Sequence, residues 1–433
     1  MEEAQKIQDK KTNTKLFPIY KMFSWDLLFY YSIIYLFLTQ AKNFSASEVL
    51  LAESFFTASC LFLQIPIGLL VDKFGKKNSL VFANICMCVF ITILLFINNY
   101  KMLLLANFID AIGYVIKGVC ETNILYDSLP SGEKRGTLYS SIDGVGAARY
   151  YVIDAITSII AGITFAIDPY IPVVLCLIVN IIALILSTRF KHTQSQREEE
   201  NSKETAKQYF KELKEAIKFT FNSKRMLCLM LFFGLMSGLT YNLSTYRSNV
   251  LNSINIPAQY FGVIFAIIQI MAGVCSKAQG WLHRRFKNNT LSVLGIPYVA
   301  SCFIIGCLVD SFGESVSNIV VVLFILQGAI KGAYNVLIYR YLNNFTNRRI
   351  RVKLATIRNM FFNMISILIS LLGSFLLKVT TSGNTFLIVG GICTVCMVLL
   401  LDYMRGKVGL KPEKYNKEDL KYSSFNEGGN LKW

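Results

Sequence analysis

The sequence predicts an all-α membrane protein, with twelve transmembrane helices in two pseudo-symmetric six-helix bundles. Composition is the first reason: 54% of the 433 residues are hydrophobic, 16% are charged, and mean hydropathy is +0.46. Soluble domains carry about 25% charged residues, so a two-domain soluble chain of this length would lack the polar surface it needs. The second reason is that apolar runs recur at the length of about twenty residues that a helix needs to cross a bilayer. The third is that Lys and Arg gather between those runs, where the loops of a polytopic protein carry them.

Measured against the bilayer, the first six spans fall at about 17–39, 47–71, 78–98, 102–126, 137–166 and 170–189, and the second six at about 225–247, 257–283, 290–310, 317–342, 351–378 and 384–404. This gives an N-terminal tail 1–16, a bundle 17–189, a linker 190–224, a bundle 225–404 and a tail 405–433. The stretch 17–39 is too long for a signal-peptide core and lacks a small-residue cleavage site, so it reads as a retained span. Placing the N-terminus inside puts most of the 44 Lys and Arg on the cytoplasmic side. That bias orients both termini to the cytoplasm and requires an even number of spans.

The net charge of +17 does not imply nucleic acid, because the basic residues form loop clusters rather than a stripe or groove on a soluble fold. All eleven Cys lie within the apolar runs. Even the Cys393-x-x-Cys396 pair reads there as small packing residues, with no disulfide or metal implied. In the linker, Tyr209, Phe210, Leu213, Ile217 and Phe221 fall along one helical stripe among Lys and Glu. Two readings are open, an amphipathic helix on the inner membrane surface or a solvated linker.

A repeat supports two equivalent halves. Ile116-Lys117-Gly118 recurs as Ile330-Lys331-Gly332, with Ile124 matched by Ile338. Leu70-x-Asp72-Lys73-Phe74 is echoed by Leu282-x-Arg284-Arg285-Phe286 at a similar offset.

The connection between spans two and three reads Gly68-Leu69-Leu70-Val71-Asp72-Lys73-Phe74-Gly75-Lys76-Lys77, with Pro66 upstream. It resembles the G-x-L-x-D-R-x-G-R-R signature loop of the major facilitator superfamily, with Lys at the basic positions. Ile124-Leu125-Tyr126-Asp127-Ser128-Leu129 is similar to the end of span four in some bacterial permeases of that family. The residues suit such a loop: Gly68 removes a side chain where helices approach, and Gly75 permits a turn at positive φ. The resemblance implies that the loop latches the halves, with Asp72 engaging the start of span eleven near Arg349, Arg351 and Lys353. The plainer reading is that Lys73, Lys76 and Lys77 set topology.

Ionisable groups at membrane depth are costly, about 2.5 kcal/mol or more each, and usually line a pathway. Asp110, Tyr114, Lys117 and Glu121 share one face of span four; Asp143, Tyr150 and Asp154 share one of span five, with Arg149 a quarter turn away. Both faces are expected to line a central cavity. The acids could carry protons with Lys117 or Arg149 tuning them, or they could neutralise Lys117 through Glu121 and Arg149 through the span-four acids. Gln327, Lys331, Tyr334, Asn335 and Ile338 share a face of span ten, where Lys331 could meet an anionic substrate or snorkel to an interface. Asp26 reads as an inner-interface residue; Glu53, Lys277 and Arg358 are further candidates.

These features imply secondary active transport of a small organic solute across the cell membrane by alternating access. No cofactor is implied, and a proton gradient is the energy source because no G-x-x-x-x-G-K-[ST] motif occurs. Efflux is favoured by the permease likeness, although the family's drug/proton antiporters carry an Arg near the place of Asn107 and a G-P-x-x-G-G element that Gly144-Val145-Gly146-Ala147-Ala148-Arg149 lacks. Uptake by a symporter or facilitator is the alternative. A membrane-embedded enzyme or a sensor is the competing class, but His192 and His283 are far apart and no H-E-x-x-H motif is present. The expected partners are a small-molecule substrate and the lipid bilayer, the chain acting as a monomer; abundant Lys, Asn and Ile suggest a bacterial source.

Overall fold

The computed structural model describes residues 2–130, 135–192, 205–286, 289–344 and 351–407. Those residues are almost wholly helical, and no strand occurs among them. The helices are α1 Glu2–Ser24, α2 Ile34–Leu36, α3 Ala46–Phe74, α4 Lys76–Phe96, α5 Tyr100–Ser128, α6 Arg135–Ile167 and α7 Tyr170–Thr188. There follow α8 Thr205–Asn222, α9 Lys224–Ser253, α10 Ala258–Phe286, α11 Thr290–Phe312, α12 Ser317–Asn344, α13 Arg351–Val379 and α14 Ser382–Lys407. Among the described residues, ten stretches are long and apolar enough to cross a membrane, and one of them, Thr290–Asn335, holds α11 and much of α12.

Local chemistry sets several of the boundaries. Ser45 and Glu48 form a reciprocal capping box at the start of α3. Asn99 accepts from the Met102 amide to cap α5, and Ser223 accepts from Met226 to cap α9. Gly75 separates α3 from α4 at φ +79°, a backbone conformation that costs a side-chain-bearing residue energy.

The chain divides into two compact units, Met1–Ala206 with Pro257–Ala266, and Lys207–Ile256 with Ile267–Trp433. In the first unit α4 packs on α5 and α7, and α1 packs on α5, α6 and α7, with α6 on α7. In the second, α11 packs on α12 and α14, and α9 packs on α12, α13 and α14, with α13 on α14. Taking α1, α4, α5, α6 and α7 in order onto α9, α11, α12, α13 and α14 carries each of these pairings onto its counterpart. The internal repeat is therefore visible in packing as well as in sequence.

Small residues make the close approaches. Gly234 and Gly238 of α9 lie against the backbone of α13 at Phe361 and Ser366, where an added Cβ would stand 3.0 Å and 3.1 Å away. On α12, Gly328 and Gly332 face the α10 backbone at Ile268 and Ala272, and a Cβ on Gly332 would collide with the Ala272 carbonyl. Gly68 does not play the close-approach role expected of it: a Cβ there meets nothing within 4 Å, because it lies on a partly open side of α3.

The repeat is broken at its first helix. α9 is an uninterrupted 30-residue helix, whereas the predicted first span is not one helix. α1 reaches from Glu2 to Ser24 and stops; residues 25–33 form a bend and turns, and α2 then runs into a π-helical turn, Phe37–Ala41.

Gly332→Ala should lower stability by about 1–3 kcal/mol, the usual cost of overpacking. Gly118→Ala, at the matching repeat position where a Cβ meets nothing within 4 Å, should leave stability unchanged or slightly raised. Thermal unfolding of both purified variants in detergent measures the difference.

Candidate functional site

The interruption of the predicted first span leaves backbone polar groups without helical partners, and each must find another partner or line a polar cavity. The last α1-type bond runs from the Trp25 amide to the Lys21 carbonyl. Beyond it the Ser24 carbonyl, an orphan at a helix C-terminus, accepts from the Nζ of Lys117, which is buried near the middle of α5. A cation at that end also meets the negative pole of the α1 dipole. Ser24 Oγ bonds Glu121 Oε1 at 3.3 Å. Ser24 thus stands between Lys117 and Glu121, and the direct pairing considered from their spacing is not the arrangement formed.

Around this junction the segment is held by aromatic rings. Trp25 lies edge-on to Tyr150 and Tyr151, each at 5.1 Å, and Lys21 Nζ sits 4.5 Å from the Trp25 ring centroid. Lys21 also pairs with Asp143 of α6 at 2.5 Å. Gly146 gives α1 room to lie there, since a Cβ on it would reach Lys21 Cδ at 3.0 Å. Phe29, buried in the turn, adopts φ +63°. A bulky residue in that region costs about 1–3 kcal/mol and is held only where its surroundings over-determine it, often at functional sites.

Asp26 lies in the bend that follows α1. Its Oδ1 accepts from Tyr31 OH at 2.7 Å and from the Leu27 amide at 3.0 Å. Asp110 of α5 lies within electrostatic reach of Asp26, of Glu53 on α3 and of Lys117. Tyr30 is within reach of the same three carboxylates. Asp154 is buried one turn along α6 from Tyr150. Asp26, Glu53, Asp110 and Asp154 are thus carried by four segments of one unit, and the buried Lys117 is directed at a backbone carbonyl.

The other predicted residues are dispersed. Tyr114 is half-exposed, its ring 5.7 Å from Phe56. Arg149 is exposed and makes no ion pair with the span-four acids among the described residues; a quarter turn on α6 carries it off the buried face. In the signature loop, Lys76 pairs with Asp127 at 2.6 Å, tying the start of α4 to the end of α5, and Lys77 is partly exposed. The side chains of Asp72, Lys73, Lys277, Arg351 and Lys353, and residue Arg349, lie outside the described residues, so the expected latch does too.

In the second unit Gln327 is buried and donates from Nε2 to Ser301 Oγ at 2.8 Å. Tyr334 OH bonds Ser237 at 2.9 Å and the Phe233 carbonyl at 3.2 Å. Lys331 and Asn335 are partly buried on the same helix. Arg247, which the sequence reading passed over, is buried on α9 with its guanidinium carbon 5.3 Å from the Phe324 ring centroid. Its signal was available: an Arg within three turns of polar and aromatic residues in an otherwise apolar run.

Comparison with known proteins gives a consistent picture. The family model described as Major Facilitator Superfamily matches residues 16–312 and 298–426. An uncharacterized MFS-type transporter, YxaM of Bacillus subtilis (strain 168), is 24% identical over 242 residues, 55% of this chain and 58% of its own length. The chain thus aligns with somewhat over half of that relative. Among solved structures, the nucleoside transporter NupG superposes with a TM-score of 0.67 at 14% identity, covering 92% of this chain and 99% of that one. A D-xylose-proton symporter superposes at 0.66 and 12% identity, covering 91% and 96%. At these identities the structural likeness establishes the fold.

If the Lys21–Asp143 pair holds α1 onto α6, the double variant Lys21→Gln/Asp143→Asn should destabilise by less than the sum of its two single variants. The coupling energy should be about 0.5–3 kcal/mol, read from thermal unfolding of the four proteins. Additive effects would mean the pair contributes nothing.

Proposed function

We propose, from the premise that this chain belongs to the major facilitator superfamily, that it is a proton-coupled secondary transporter of a small polar organic solute, working by alternating access across twelve spans. The twelve comprise the ten apolar stretches with α11 and α12 counted apart, plus the interrupted first segment. The observation that carries the reading is the turn after Ser24, which holds Asp26 within electrostatic reach of Asp110 on α5, a helix apolar enough to cross a membrane. Carboxylates at membrane depth are expensive unless they do something. Lys117, engaged at Ser24, fixes the helix end while staying within electrostatic reach of Asp110 and Glu121.

In this reading, protonation of Asp110 or Asp154 changes the balance of charge around the interrupted segment. The two conformations of the transporter then differ in which side can supply or remove that proton. Trp25 and Tyr30, both partly exposed, offer aromatic surface near the acids, suited to a ring-bearing or cationic solute. The likeness of Ile124–Leu129 to efflux permeases supports export. Uptake is the second reading, supported by neighbours whose names describe a nucleoside transporter and a proton symporter for D-xylose.

Metabolite profiles of cells with and without the protein should identify the solute. Accumulation in proteoliposomes driven by a pH gradient should then fall about tenfold or more in Asp110→Asn or Asp154→Asn, while exchange of solute at equal concentrations persists. Undiminished gradient-driven transport in both variants would sink the proton assignment. Opposite gradients applied to oriented vesicles separate export from uptake.

A further inference from the structure

The helix that joins the halves has two contrasting sides. On α8, Leu213, Ala216 and Thr220 are buried within the protein, as is Phe219. The small side chains of Ala216 and Thr220 let the helix lie close, and so the buried stripe is rotated from the one expected along Leu213, Ile217 and Phe221. Its apolar side is therefore buried within the protein.

The opposite side is basic. Lys211, Lys214 and Lys218 are exposed, and their spacing of three and four aligns them on a 3.6-residue helix about half a turn from Leu213, Ala216 and Thr220. No ion pair engages any of the three among the described residues. Phe221 lies on the same side one turn further on, 59% exposed, with its ring 6.2 Å from Phe361 of α13. One residue, Ser223, separates the end of α8 from α9, a membrane-crossing stretch that begins at Lys224. At about 1.5 Å per residue, Lys218 is within roughly 10 Å of that start along the chain, close to one Debye length at physiological salt.

We propose that this face of α8 is a docking surface for the anionic headgroups of the adjacent leaflet, with Lys211, Lys214 and Lys218 meeting lipid phosphates and Phe221 seated at the interface. Charge complementarity selects this partner: basic residues near an anionic surface attract it strongly and additively, and an exposed aromatic ring beside a span start suits the headgroup level. The helix is held by protein on its apolar side and by lipid charge on the other, an inversion of the usual interfacial helix, which gives its apolar side to lipid.

The test is amide hydrogen exchange across 205–222 in the full-length protein, reconstituted in phosphatidylcholine alone or with a third of phosphatidylglycerol. Exchange should slow by about tenfold or more in the anionic bilayer at low salt, and the effect should shrink at high salt. The triple variant Lys211→Gln/Lys214→Gln/Lys218→Gln should lose the lipid effect while unfolding at the wild-type temperature in phosphatidylcholine, and the matching triple Lys→Arg variant should keep it. Equal exchange in both bilayers, or a full effect in the Gln variant, overturns the proposal. So does slowing by inorganic phosphate in phosphatidylcholine alone, which would assign the surface to a soluble anion.

Discussion

The amine of Lys117 on the carbonyl of Ser24 is the contact from which the rest of the first unit follows. Removing a lysine from water costs several kcal/mol even after relaxation, and ending a helix at membrane depth leaves carbonyls without donors. Each cost offsets the other when the two are brought together, since the amine supplies the donor and the helix end supplies the negative pole. Once α1 stops at Ser24, the chain turns through Phe29, and Asp26 in that turn lies within electrostatic reach of Asp110.

The two units show what the break is worth as a difference. Their helices pair in the same order, and Gly146 in one and Gly234 with Gly238 in the other admit the same kind of close contact. Yet α9 runs on without interruption and carries Arg247 within it. One repeat has spent its polar residues on a broken segment surrounded by acids, the other on a continuous helix with a buried guanidinium beside an aromatic ring. The two repeats thus share their packing and differ in the charges they bury.

Most of the architecture was legible in the sequence because bilayer thickness imposes a length that apolar runs reveal directly. Gly75 was legible for a local reason, a turn requiring positive φ. The break after Ser24 was not. Residues 25–33 contain neither Pro nor Gly, and Pro18, the one helix-breaking residue nearby, lies inside α1; a contact from Lys117, nearly a hundred residues away, decides the matter. Lys117 and Glu121 were correctly placed on one face, but spacing alone could not reveal that Ser24 would come between them. Arg247 was missed because the predicted span ended on it, where a basic residue passes for an interface anchor, whereas α9 continues to Ser253. The pair Lys76–Asp127 joins two motif stretches that had been read separately.

Amide hydrogen exchange over residues 17–39 in a lipid nanodisc tests the central contact most directly. The account requires slow exchange up to Trp25, whose amide still bonds Lys21, then faster exchange across 26–32, widening into α1 when Lys117 is replaced by Met. Uniform protection from 17 to 39, unaffected by that replacement, would mean the first segment is a continuous helix and would remove the basis on which Asp26 and Asp110 were brought together.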